Sequence, residues 1–352
     1  MKTLYIIGAG CSRNYEKTSS PVQGLKPPLN NDFFKMAKKI IDHYDMSNLF
    51  GPIPGLDHFI RNMNRLFGYG DSEYDTTVFL DDRLSLEEVM THFSLEYNIL
   101  NFPRSFNSNP RTNVLNELLA YTLAESLSGE VCEKHRQLAR MIVQGDLVLN
   151  FNYDILMDNA LRDEDKFTDS GYLMRFDYFL DEDKWKRPIY QDSPIKMLKL
   201  HGSLNWLKCI NCGSILLLGK QKDVPALWTG IKDFKFNCPK CGSSKYDGLE
   251  RYIIPPGVKV IQDAEMRFLW QSAIKIQPLD RILAIGYSFS DQDPQVKMLL
   301  RVMIENNNFI SNIPITLVTR NSYSFNDVKE RVEKIFRHSN INYIPTNDFF
   351  NL

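Results

Sequence analysis

Short apolar runs that read as buried strands alternate with stretches of helical periodicity along most of the 352 residues. That alternation predicts an α/β fold built on a doubly wound, mostly parallel sheet. Two further observations refine it. The first run, Thr3 to Ile7, leads directly into Gly8-Ala9-Gly10, and a strand ending in a glycine-rich turn is how a Rossmann-like dinucleotide-binding fold begins. Four cysteines fall in two pairs, Cys209-x-x-Cys212 and Cys238-x-x-Cys241, which adds a small zinc-ribbon module.

The opening glycine turn is incomplete as a nucleotide fingerprint, because Arg13 holds the third glycine position of G-x-G-x-x-G. A tight turn serving only the chain is the competing reading. Pro21 to Asn30 is a loop by composition, and from about Asp32 to about Gln144 the pattern is mostly helical. Ser85-Leu86-Glu87-Glu88 fits a capping box, with Ser85 as cap and Glu88 reaching back. Leu86, Val89, Met90, Phe93 and Tyr97 then follow at helical spacing. Further helices are expected over Asn113 to Leu127 and Lys134 to Val143. This block carries no visible ligand chemistry and reads as a helical insertion, suited also to a subunit interface.

A second buried strand, Asp146 to Asn150, is followed by Asn152-Tyr153-Asp154 and a helix from Ile155. Asp154 fits a helix cap. Residues 162–194 lack periodicity and are expected to form a surface connection that orders over a ligand. The apolar run Ile195 to Leu200 predicts another strand, which puts His201 at a carboxyl end, where open α/β sheets bind ligands. An imidazole can take a proton near neutral pH. A histidine bonded to core backbone is the bland alternative. The glycine turn, Asn152 and the cysteine cluster together favour the functional one.

Four thiolates fill a tetrahedral Zn²⁺ and leave no open position, so such a metal is structural. The glycines after Cys212 and Cys241 free the turns that aim amides at sulfur. Beyond the cysteines, Tyr252 to Pro256 and Arg281 to Ile285 read as strands, with a helix at about Gln262 to Ile276 between them. The latter strand ends in Gly286-Tyr287-Ser288-Phe289-Ser290-Asp291. Asp293-Pro294 then starts a helix, aspartate as cap and proline at the first helical position, with Val296, Leu299, Leu300 and Met303 as its buried stripe. A strand Pro314 to Val318, a helix near Val328 to Ile335 and a strand Ile341 to Ile344 complete the alternation. The organisation expected is a Rossmann-like domain of residues 1–31, 145–206 and 251–352, a helical insertion at 32–144 and a zinc ribbon at 207–250.

Composition sets bounds. Apolar and charged fractions, 43% and 24%, are those of an ordinary globular chain. A net charge of −1 supplies no field to draw the chain onto nucleic acid or an anionic membrane. No apolar run approaches the roughly 20 residues of a membrane helix. No secretion signal and no second sensor domain are recognisable, and paired cysteines without a secretion signal point to metal in a reducing cytoplasm.

In this order the motifs resemble the sirtuin (Sir2) family. The likeness runs from Gly-Ala-Gly-x-Ser through Asn-x-Asp, His-Gly, the cysteine pairs and Gly-x-Ser, and it leaves out the helical insertion. The spellings Asn152-Tyr153-Asp154, Leu200-His201-Gly202-Ser203 and Gly286-Tyr287-Ser288-Phe289-Ser290-Asp291 resemble the bacterial Sir2-like branch of phage-defence systems, which typically destroys NAD. The resemblance implies an NAD pyrophosphate over Gly8, Ala9, Gly10 and Ser12. It places Gly286, Ser288 and Asp291 at phosphate and ribose, and Asn321 at the adenosine ribose. Asn152 and Asp154 would face the nicotinamide ribose and amide, and His201 the ribose hydroxyls or an attacking water. It also implies control by oligomerisation or by a separate partner such as an ATPase.

Protein-deacylating sirtuins carry a Phe-Gly-Glu segment after the ribbon that pairs with the acyl-lysine peptide. Here the stretch reads Ile253-Ile254-Pro255-Pro256-Gly257, and two prolines remove two backbone donors. The expected activity is therefore an NAD⁺ glycohydrolase. An NAD-dependent deacylase and a non-enzymatic NAD- or ADP-ribose-binding subunit are the alternatives.

Overall fold

Strand β1 (Thr3–Ile7) is buried at every position and occupies the middle of a six-stranded sheet. The computed structural model describes residues 2–350 except 14, 16–17, 47–52, 70–74, 100–109, 130–131, 182–183, 190, 219–236, 245–247, 255–262, 276–278, 306–312 and 338–339. β2 (Leu147–Asn150) and β5 (Lys196–Leu198) lie on one side of β1; β9 (Arg281–Ile285), β10 (Ile315–Thr319) and β11 (Ile341–Pro345) lie on the other. The order β11-β10-β9-β1-β2-β5 is all parallel. This is the doubly wound Rossmann order: three strands run outward, then the chain returns beside β1 and runs the other way. The crevice between β1 and β9 is its switch point, the place where open α/β sheets take ligands.

The helices follow the expected signals. α1 (Ala9–Ser12) is one short turn after β1. α2 (Phe33–His43), α3 (Leu56–Leu66), α4 (Leu86–Ile99), α5 (Pro110–Ser126) and α6 (Glu133–Met141) form the helical block. The Ser85 hydroxyl accepts the Glu88 amide at 3.1 Å, as the capping pattern predicts. Leu86, Val89, Met90 and Phe93 are buried; the side chain of Tyr97 lies outside the described residues. α7 (Leu156–Asp163) follows β2, α8 (Ala264–Ile274) precedes β9, and α9 (Pro294–Glu305), α10 (Ser322–Phe336) and α11 (Thr346–Phe349) cover the second half. Val296, Leu299, Leu300 and Met303 are buried along α9. No described helix is long and apolar enough to cross a membrane.

A second, five-stranded sheet departs from expectation. It comprises β3 (Tyr178–Asp181), β4 (Lys184–Lys186), β6 (Gly202–Cys209), β7 (Ile215–Leu218) and β8 (Leu249–Ile253), in the order β4-β3-β7-β6-β8. Residues 162–194 are therefore no surface connection. Phe167, Tyr172, Met174 and Phe176 are core residues, and β3 pairs in parallel with β7. Strands β6, β7 and β8 are buried on both faces, whereas β4 at the edge is largely exposed. Trp206, Ile215, Leu217 and Tyr252 join the core of the parallel sheet, while Leu207, Leu216, Leu218 and Ile253 join the core of the helical block. Each such burial is worth about 1.5–3 kcal/mol, so the sheet cements the two cores together. The Arg251–Glu117 ion pair, at 2.8 Å, ties β8 to α5 along the same boundary.

Candidate functional site

The residues singled out from sequence gather at the carboxyl ends of β1, β2, β5, β9 and β10. At the switch point the Gly8-Ala9-Gly10 turn abuts Gly286 and Tyr287. The Gly8 amide donates to Ile285 O at 3.1 Å, and the Gly10 amide to Gly286 O at 2.9 Å. A Cβ on Gly10 would lie 2.8 Å from Gly286 Cα, and one on Gly286, whose φ is +60°, would lie 2.2 Å from Cys11 N. Backbone meets backbone here, which alone demands these glycines.

Next to that turn a compact polar group joins β1 to β2. Asn152 Nδ2 donates to Gly8 O and to Ser12 Oγ, both at 3.1 Å. Ser12 Oγ donates in turn to Asp154 Oδ2 at 2.7 Å. Asp154 Oδ1 accepts the Leu156 amide at 3.0 Å, a local turn one residue before the N-cap position, which Ile155 and not Asp154 occupies. With both amide hydrogens engaged, the remaining polar atom of Asn152 is the acceptor Oδ1. Asn152, Asp154 and Ser12 are all buried.

His201 lies beyond Phe151. Its ring centroid is 5.1 Å from that of Phe151, which stacks on Tyr287 at 4.6 Å, and 6.2 Å from that of Tyr153. Its Nε2 meets Asp293 Oδ2 at 2.7 Å. Gly202 explains the chain path just after it. Its φ is +78°, and a Cβ there would sit 2.0 Å from Tyr252 O, so only glycine lets β6 leave His201 against β8. The His201 carbonyl accepts the Ile254 amide at 2.8 Å.

Several contributors were not foreseen. The sequence marks Asp293 only as a helix cap, and its Oδ1 does accept the Val296 amide, at 3.4 Å. Glu87, on the helical block, accepts from Ser290 Oγ at 2.6 Å and so reaches the loop between β9 and α9. Burial, then the Glu87 and Asp293 carboxylates, push the Tyr153 phenol well up. Burial with the same two carboxylates does so for Tyr287. Both phenols stay neutral. Lys199 is fully buried, and its Nζ lies 3.2 Å from Asp158 Oδ2 and donates to Asp154 O. Asp158 also accepts from the Tyr172 hydroxyl. A lysine two positions before the histidine was the available sequence signal for that strut.

Other positions point elsewhere. Asp291 is exposed and paired with Lys297, and Ser288 is exposed while its carbonyl accepts from Arg331 at 2.8 Å. Asn321 Oδ1 caps α10 by accepting the Ser324 amide at 2.9 Å. Pro255-Pro256-Gly257 lies outside the described residues.

The four cysteines converge at the end of β6 and the start of β8. Their sulfurs all lie within 4.8 Å of one another, with Cys209–Cys241 at 3.4 Å and Cys212–Cys238 at 3.6 Å. The two knuckles repeat one geometry. Gly213 and Gly242 have φ of +74° and +80°, and their amides donate to Cys209 O and Cys238 O, each at 2.8 Å. Four sulfurs around one Zn²⁺ at ordinary bond lengths stand about 3.8 Å apart, so the cluster could hold a metal ion such as zinc. Hydrogen bonds from Ser243 hold the Cys241 thiol down at about 6, while burial pushes Cys238 up to about 12. The chain matches no protein-family model and no curated protein sequence.

Proposed function

We propose that the chain is an NAD⁺ glycohydrolase, cleaving the nicotinamide–ribose bond to give nicotinamide and ADP-ribose. The observation that carries this reading is the polar group at the switch point: Asn152, Ser12 and Asp154 locked onto Gly8 O, beside the His201–Asp293 pair. The Rossmann strand order supports a nucleotide in the same crevice.

The chemistry suits those groups. The C1′–N bond breaks with its electron pair leaving on an already cationic pyridinium, so no strong general acid is required. The transition state resembles an oxocarbenium ion, as in glycoside hydrolysis. Water oxygen then bonds C1′, and its proton passes to His201 and on to solvent. Asn152 Oδ1, an acceptor on a rigid anchor, fixes a ribose hydroxyl or the water. The four cysteines hold a structural Zn²⁺ that pins β6 and β8. The chain works in the cytoplasm as an effector of anti-phage defence, as a homo-oligomer or under a separate partner protein such as an ATPase.

For the deacylase alternative, the Ile254 amide is bonded to His201 O and so is not an open donor for a substrate strand. The test is nicotinamide formed from NAD⁺ without acylated peptide, by purified protein at several concentrations and with its genomic neighbour. Release that is lost in both His201→Ala and Asn152→Ala is expected. Unchanged turnover in both variants sinks the reading.

A further inference from the structure

His201 and Asp293 come from opposite halves of the parallel sheet. β5 and β9 stand three strand positions apart, with β1 and β2 between them. At ordinary strand spacing that is about 14 Å. The 2.7 Å contact therefore arches over the carboxyl ends of β1 and β2, where Gly8 and Asn152 lie. Phe151, with Tyr287 stacked on it, braces the ring. Both side chains are buried, 8% and 2% exposed. An ionised carboxylate only accepts, so in that form Asp293 Oδ2 would take its hydrogen from Nε2. Asp293 also sits at the amino end of α9, where negative charge is favoured.

We propose that Asp293 is a positioning residue for His201: it accepts the Nε2 hydrogen and fixes that tautomer. That the ring so held serves as the base toward water or ribose rests on the NAD⁺ reading; the tautomer does not. Among the described residues, Asp293 from the β9–α9 loop touches the ring and Tyr153 from the β2–α7 turn lies beside it; Tyr287 stacks on Phe151, and Glu87 of α4 acts on both phenols. Asp293 is the described carboxylate in contact with the imidazole, and removing its charge disfavours the protonated ring.

The experiment is ¹⁵N NMR of histidine-labelled protein, with His201→Gln identifying the signal, recorded across pH for wild type and Asp293→Asn. Asparagine keeps the helix cap and the shape but removes the charge. The expected result is an Nε2–H neutral ring in wild type and an imidazole pKa lower by about one unit in the variant. In NAD⁺ hydrolysis the acid limb should move to lower pH, with kcat down about a hundredfold and KM within about threefold. An Nδ1–H tautomer, or a titration unmoved by Asp293→Asn, overturns the proposal. The tautomer is read on wild type, so it decides even where the variant fails to fold. An Nε2–H ring in a chain that never releases nicotinamide supports the positioning role and overturns the NAD⁺ reading instead.

Discussion

Ser12 Oγ donates to Asp154 Oδ2 at 2.7 Å, tying the turn after β1 to the turn after β2. The same hydroxyl accepts from Asn152. Removing it leaves a buried carboxylate oxygen and an amide hydrogen without a partner. Ser12→Ala should therefore cost about 1–3 kcal/mol, read as a lower urea midpoint with an unchanged slope. NAD⁺ turnover should fall as well, because Asn152 loses one of its two anchors. A variant with wild-type midpoint and turnover would show that the hydroxyl holds nothing in place.

The four-cysteine cluster makes a metal prediction independent of any activity. Purified protein should carry one zinc per chain by elemental analysis. Chelation should lower the melting temperature, because the knuckles pin the ends of β6 and β8, and β6 begins one residue after His201. Cys241→Ser should act in the same direction as chelation. Metal should be lost as pH falls, since protons compete for the thiolates that bind it. Protein with no metal and a chelator-insensitive melt would reduce the cluster to four neighbouring thiols.

The parallel sheet was legible because its strands are short, continuous apolar runs closed by Gly8, Asn152, His201 and Gly286, each of which marks a carboxyl end. Helix starts at Ser85 and Asp293 were legible because capping is local chemistry. The second sheet was not. Ile215 to Leu218 faces one core at odd positions and the other at even ones, so no polar alternation marks it as a strand. The glycines were legible as a turn but not in their cause, since Gly10 and Gly286 touch only after folding. For the same reason the partner of His201, 92 positions away, could be seen only as a cap. Glu87 has no role legible in the sequence because Ser290 lies 203 positions downstream.

Lys199 carries the last prediction. Its ammonium and the Asp158 carboxylate are both wholly buried, and it also holds the Asp154 carbonyl. Replacing one partner strands the other charge without compensation. Lys199→Met, which keeps the length and much of the volume, should destabilise the fold by about 3–5 kcal/mol, measured by denaturant unfolding. Lys199→Met combined with Asp158→Leu removes both charges and should recover a large part of that loss, because a buried pair and an apolar pair are often close in energy. The two readouts then separate. Stability should return in the double variant, while NAD⁺ turnover should stay low, because the Asp154 carbonyl has still lost its clamp and the Asn152–Asp154 turn is looser. Recovery of both together would make Lys199 a core residue with no bearing on the site, and recovery of neither would mean that Tyr172, bonded to Asp158, depends on that carboxylate more than on the lysine.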